Sequence, residues 1–263
     1  MKPITIEVVS PPRCGSTLTY HFLNQYIQDK NNNFYIFQNI NKTHPPFEPN
    51  QITLHNFDFE TFYIFCIRHP FSTLASLLIY DLGDSYDVES ALNERYVFNK
   101  VNELVRDFKW CYDFIKQNSL NVTIFKYEHF VNNYRYFFDF FSRTFGLNFT
   151  DENVDDFFKN YNTDNLFDKL RKTVRGSDPL YHSFAPNHIS FSKGNNEDNI
   201  AYIPFKFRSR IQREFKEIYE LYNYNPVSLA GIPFYKKYNA NCFSDWSLLF
   251  EFLMIEVVFE YLE

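Results

Sequence analysis

Four short runs of β-branched and aromatic residues constrain this chain most: 4–9 (ITIEVV), 34–38 (FYIFQ), 62–67 (FYIFCI) and 121–126 (NVTIFK). Stretches with helical spacing lie between and after them, at 70–82, 92–117, 129–145 and 204–222. In the second of these, Val97, Val101, Leu104, Val105, Phe108, Tyr112 and Ile115 share one helical face. Pro70 suits a first helical turn, and Gly146 suits a helix end. Strands that alternate with helices and are apolar on both sides predict an α/β fold: a central parallel sheet between two helical layers, a three-layer sandwich. In such sheets ligands bind beyond the carboxyl ends of the strands.

Three polar stretches fall at those ends. The first, Pro12-Arg13-Cys14-Gly15-Ser16-Thr17, follows the run 4–9 and opens a helical stretch through Leu18, Phe22, Leu23, Tyr26 and Ile27. A Gly turn with two hydroxyls at a helix N-terminus suits an anion, because free amides and the helix dipole face it. The pattern G-x-x-x-x-G-K-[ST] of nucleotide hydrolases is absent: Ser16 follows Gly15 directly, and the cation stands earlier, at Arg13. The second stretch, IRHPFSTLAS (67–76), places Arg68 at a strand end and Ser76 eight residues on, close enough for a guanidinium and a hydroxyl to converge on one phosphate. A kinase or GTPase usually has an Asp there to hold Mg²⁺; a cation predicts no metal. The third, Asn41-Lys42-Thr43-His44-Pro45-Pro46, puts an imidazole, suited to general-base work near neutrality, on the same edge. The 24 residues from His44 to Arg68 leave room for one short crossover, so base and phosphate site are expected on neighbouring strands. These residues alone leave open a P-loop nucleotide kinase or NTPase and a non-catalytic binding protein.

Composition narrows the field. With 263 residues the chain suits one large domain or two small ones. A net charge of −6 argues against a general nucleic-acid binder. The 33 Phe and 20 Tyr are read as codon bias of an AT-rich genome. Cys14, Cys66, Cys111 and Cys242 form no C-x-x-C pair, which fits a reducing compartment better than zinc or disulfides. The apolar run 248–262 carries Glu251, Glu256 and Glu260 and is too short and charged to span a bilayer. No signal peptide precedes the first strand, so a cytoplasmic location is expected.

Together the three stretches resemble the sulfotransferase family, which uses 3′-phosphoadenosine 5′-phosphosulfate as donor. Residues 12–17 are similar to the family's 5′-phosphosulfate loop, Arg68 and Ser76 to its 3′-phosphate pair, and Lys42-Thr43-His44-Pro45-Pro46 to the base motif of its cytosolic members. FKYEHFVNN (125–133), FGLNFTDENVDDF (145–157), SKGN (192–195) and RIQREFKEIYELYNY (210–224) resemble later family segments, so the likeness spans residues 4 to about 225. It implies a P-loop-like phosphosulfate-binding loop made by Arg13, Cys14, Gly15, Ser16, Thr17 and Leu18, with Arg68, Ser76, Lys193 and Gly194 on the 3′-phosphate and Tyr127 near the adenine. His44 is implied as the catalytic base, with Arg13 and Lys42 assisting, and no metal takes part. The implied acceptor is a small molecule or glycan with a hydroxyl or amine.

Departures are Arg13 in place of the cytosolic branch's Lys, Ser192 in place of an Arg, and a short stretch between loop and base. KLRKTVRGSD (169–178) resembles a dimer motif but precedes the Lys-Gly element, and its cations are read as a solvated face. Residues 1–225 are read as the domain. Residues 226–263 are read as an extension, helical and packed on the domain or on a second copy, as in a homodimer; every donor motif lies before it.

Overall fold

Each of the four runs becomes a strand. In a computed structural model the chain is described over residues 2–28, 35–45, 60–82, 92–118, 121–131, 133–162 and 203–229. Strands β1 (Lys2–Val9), β2 (Tyr35–Thr43), β3 (Glu60–Ile67) and β4 (Val122–Lys126) form an all-parallel sheet in the order β2-β1-β3-β4. Among the described residues the helices are α1 (Ser16–Tyr26), α2 (Pro70–Leu82), α3 (Glu94–Gln117), α4 (Tyr127–Phe130), α5 (Arg135–Phe145), α6 (Asp151–Tyr161), α7 (Phe205–Glu214) and α8 (Lys216–Tyr222). The fold is α/β, as the alternation predicts. No helix among the described residues is long and apolar enough to cross a membrane.

Helices cover both faces of the sheet. Phe37 on β2 and Phe62 on β3 meet Phe145 of α5 edge-on, at 5.2 and 5.1 Å between ring centres. On the opposite face Tyr63 and Phe65 of β3 meet Phe114 of α3 at 5.0 and 5.5 Å. Phe22 of α1 is fully buried among Phe137, Phe138 and Phe157. A buried Phe of this kind contributes about 1.5–3 kcal/mol relative to exposure, so the aromatic excess is put to structural use.

Three expectations need correction. The run 34–38 continues to Thr43, because Gln38 is inserted as a bulge between the Ile4–Phe37 and Thr5–Asn39 pairings and resets the alternation. Lys42 and Thr43 are therefore strand residues. The stretches 129–145 and 204–222 are each interrupted, the second at Phe215. His44 and Arg68 do not close neighbouring strands: β2 and β3 each pair with β1, which lies between them. The loop over residues 12–17 thus leaves the middle of the three strand ends, flanked on both sides.

Capping sets the ends of several elements. Asn93 accepts from the Tyr96 amide (3.0 Å) to start α3, and Thr150 and Asn153 form a reciprocal capping box on α6. Gly146 ends α5 in the left-handed region, as its place in the sequence predicts.

Candidate functional site

β1 ends at Val9, and the chain turns through Pro11–Gly15 into α1. Two residues of that turn have positive φ: Arg13 at 67° and Gly15 at 87°. Gly15 is required twice over. A Cβ there would stand 2.7 Å from Tyr127 Cδ2 and 2.8 Å from Phe130 Cζ, and the Phe130 ring is fully buried against Phe125 and Phe137. Gly15→Ala is expected to destabilise the protein by about 2 kcal/mol or more, from left-handed strain and the clash together. Thermal unfolding of the variant checks this, and an unchanged midpoint would show that the turn relaxes freely.

The first amide to bond back into α1 is that of Thr19, to Gly15 O at 3.2 Å. By helix geometry the amides of Ser16, Thr17 and Leu18 face the mouth of the loop. Ser16 and Leu18 are buried, and Thr17 is half-exposed. Cys14 turns inward: its Sγ lies 3.6 Å from Thr73 Oγ1 of α2, and burial pushes the thiol up to about 12. It packs the loop and carries no charge at neutral pH.

Cations gather on the α2 side. Arg13 Nε donates to Ser76 Oγ (3.1 Å), and its guanidinium lies 5.0 Å from the Tyr80 ring centre. Arg68, only 1 % exposed, lies 4.4 Å over the Tyr127 ring. Burial, and then the charge of Arg68, lower the Arg13 pKa to about 10. Arg13 stays charged at neutral pH, and its guanidinium shares a poorly solvated region at a helix N-terminus with that of Arg68. An anion entering there would relieve their repulsion. The structure sets Ser76 directly against Arg13, so its hydroxyl joins the loop to α2, while Arg68 rests on Tyr127.

On the other flank of β1 stand Lys42 and His44. Lys42 Nζ donates to Thr17 Oγ1 (3.2 Å) at the first turn of α1. Ser10 N–H donates to Thr43 O (3.3 Å), binding the end of β2 to the loop. His44 Nδ1 lies 2.8 Å from Ser10 O. A carbonyl only accepts, so Nδ1 carries the proton and the neutral ring presents Nε2 as a base. His44 reaches solvent, yet surrounding protein holds its pKa below the ordinary 6.5 by desolvation, against the stabilising bond to Ser10 and with Lys42 adding to the depression. Nearby His21, stacked at 5.7 Å on Tyr161, is lowered further, to about 4, first by burial and then by Lys42.

Arg13, Cys14, Gly15, Ser16, Thr17, Leu18, Lys42, His44, Arg68, Ser76 and Tyr127 thus meet on one sheet edge. Lys193 and Gly194 lie outside the described residues, as do Ser192, the 169–178 segment and the chain from 230 onward. Among the described residues no group of three or more His, Cys, Asp or Glu side chains is gathered as metal ligands. Sequence reading missed Glu128, whose carboxylate accepts from the His69 amide (2.8 Å) and from the Tyr224 hydroxyl (2.9 Å). Tyr224 lies 96 residues away in the chain, and no local pattern announces that pairing.

No family model matches the chain, and no curated protein matches it in sequence. Among solved structures, mouse sulfotransferase SULT7A1 complexed with PAP is similar in fold, with a TM-score of 0.55 over 85% of this chain and 89% of that one. The two are 14% identical over that match, so the likeness is one of fold.

Proposed function

We propose that the protein is a sulfotransferase that moves the sulfuryl group of 3′-phosphoadenosine 5′-phosphosulfate to a hydroxyl or amine acceptor. One observation carries this reading. The turn that gathers two guanidinium groups for an anion also, through Ser10 O, fixes His44 as a neutral base on its other flank. The loop that carries Arg13 thus also supplies, at Ser10, the carbonyl that orients His44. The similar fold solved with PAP supports the same reading.

In this account the amides of Ser16–Leu18, with Arg13, hold the 5′-phosphosulfate, and Arg68 with Ser76 holds the 3′-phosphate. By the resemblance, Lys193 and Gly194 would also contact that phosphate, and Tyr127 would lie near the adenine. His44 Nε2 takes the acceptor's proton as the acceptor oxygen or nitrogen attacks sulfur in line. The bond from sulfur to the bridging oxygen breaks, and the charge left on that oxygen meets Arg13, the α1 amides and Lys42. Those donors are in place beforehand, which is where such electrostatic stabilisation is largest. Positioning of donor and acceptor supplies further acceleration. The chemistry needs no divalent metal, and the acceptor is a small molecule or glycan.

Incubation with sulfur-labelled donor and a panel of phenols, sugars, glycans and peptides tests the reading. Label is expected to move to at least one acceptor without added divalent metal. Phosphate transfer from ATP with Mg²⁺, and no sulfate transfer, would replace this function with that of a kinase.

A further inference from the structure

The turn that follows α8 returns to the sheet edge and grips the residues next to Arg68 and Tyr127. Glu128 Oε1 accepts from the His69 amide (2.8 Å), the amide immediately after Arg68. Glu128 Oε2 accepts from the Tyr224 hydroxyl (2.9 Å). His69 Nε2 lies 2.9 Å from Asn225 O, so it must be the donor, and the Tyr224 ring meets the His69 ring edge-on at 5.3 Å. Lys126 Nζ donates to Tyr222 O (2.8 Å) and lies 4.5 Å from the Tyr224 ring centre.

We propose that Glu128, His69 and Tyr224 form a positioning clamp that sets the Arg68 guanidinium on Tyr127 in the geometry needed for the donor's 3′-phosphate. The role rests on the donor reading above. Arg68 is the residue before His69, and Tyr127 is the residue before Glu128. Any shift of the carboxylate against the His69 amide therefore displaces Arg68 and Tyr127 relative to one another. A long arginine side chain has much rotamer freedom to lose, and a fixed backbone on both sides removes it before the ligand arrives. Burial keeps the Tyr224 phenol protonated and His69 neutral, so each remains a hydrogen-bond donor across the ordinary pH range. The clamp also explains why the chain after α8 packs inward, with Val227 and Leu229 against the core.

The test uses the full chain and two variants, Tyr224→Phe, which keeps the ring, and Glu128→Gln. Calorimetric titration with adenosine 3′,5′-bisphosphate and with adenosine 5′-monophosphate is paired with hydrogen exchange of the ligand-free protein. Tyr224→Phe is expected to weaken the bisphosphate by roughly 10-fold, the worth of one hydrogen bond to a charged group. The monophosphate should weaken by less than about twofold, because it lacks the group that Arg68 is placed to meet. Exchange should quicken over 67–73 and 126–131 and stay unchanged over β1. Equal weakening of both ligands, unchanged bisphosphate affinity in both variants, or unchanged exchange overturns the clamp alone. A wild-type protein that does not bind the bisphosphate overturns the donor reading, and the positioning role with it.

Discussion

His44→Ala lowers turnover by about 10²–10⁴-fold, the usual worth of a placed general base, and leaves donor affinity nearly unchanged. The expectation follows from how His44 is held. Nδ1 donates to Ser10 O at 2.8 Å, which leaves Nε2 as the acceptor beside the loop, while no donor-holding role falls to the ring. Removing it takes away the acceptor's proton sink and leaves Arg13, Gly15 and the α1 amides intact. The pH profile provides a second reading. Desolvation lowers the His44 pKa, so the neutral base persists to lower pH than an ordinary imidazole. The acidic limb of kcat/KM is therefore expected below 6.5 and should vanish from the residual activity of the variant. Full activity in His44→Ala would transfer the base role to another group, and an acidic limb above 6.5 would show that the ring is not desolvated when it works.

Arg68→Met weakens adenosine 3′,5′-bisphosphate by roughly 10–100-fold, the worth of charged hydrogen bonds lost from a buried phosphate site, and spares adenosine 5′-monophosphate. Met keeps much of the Arg68 stem in a site that is 1 % exposed, which limits the cavity left over Tyr127. The unliganded variant has a compensating gain, because Arg68 is the charge that helps depress Arg13. Ligand-free stability should thus fall less than an ordinary loss of buried volume implies, while the 3′-phosphate loses its partner. Titration of both nucleotides separates the two roles. Equal weakening of the two would make Arg68 a support of the fold.

Much of this site was legible because its chemistry is local. Arg13, Gly15 and Ser16 follow a strand and open a helix, and Lys42 and His44 stand together, so spacing alone puts them at strand ends. The sheet's slot order was not legible. The 24 residues between His44 and Arg68 set the reach of a crossover, yet not on which side of β1 each strand settles. The true length of β2 was hidden by its own bulge. Gln38 breaks the alternation, and Asn39 and Asn41 read as loop residues, although Asn41 donates to Glu7 across the sheet. The clamp on Glu128 was out of reach for a different cause: His69 meets Asn225 across 156 residues, a pairing that only packing creates.

The central claim is that this edge holds a nucleotide by its 3′-phosphate as well as its 5′ end, and thermal unfolding with added nucleotide tests it most directly. With no metal present and adenosine 3′,5′-bisphosphate near 100 times its Kd, linkage predicts about 2.7 kcal/mol of stabilisation. For a chain of this size that raises Tm by about 5–10 °C. A larger rise with ATP and Mg²⁺ than with the bisphosphate would contradict the account.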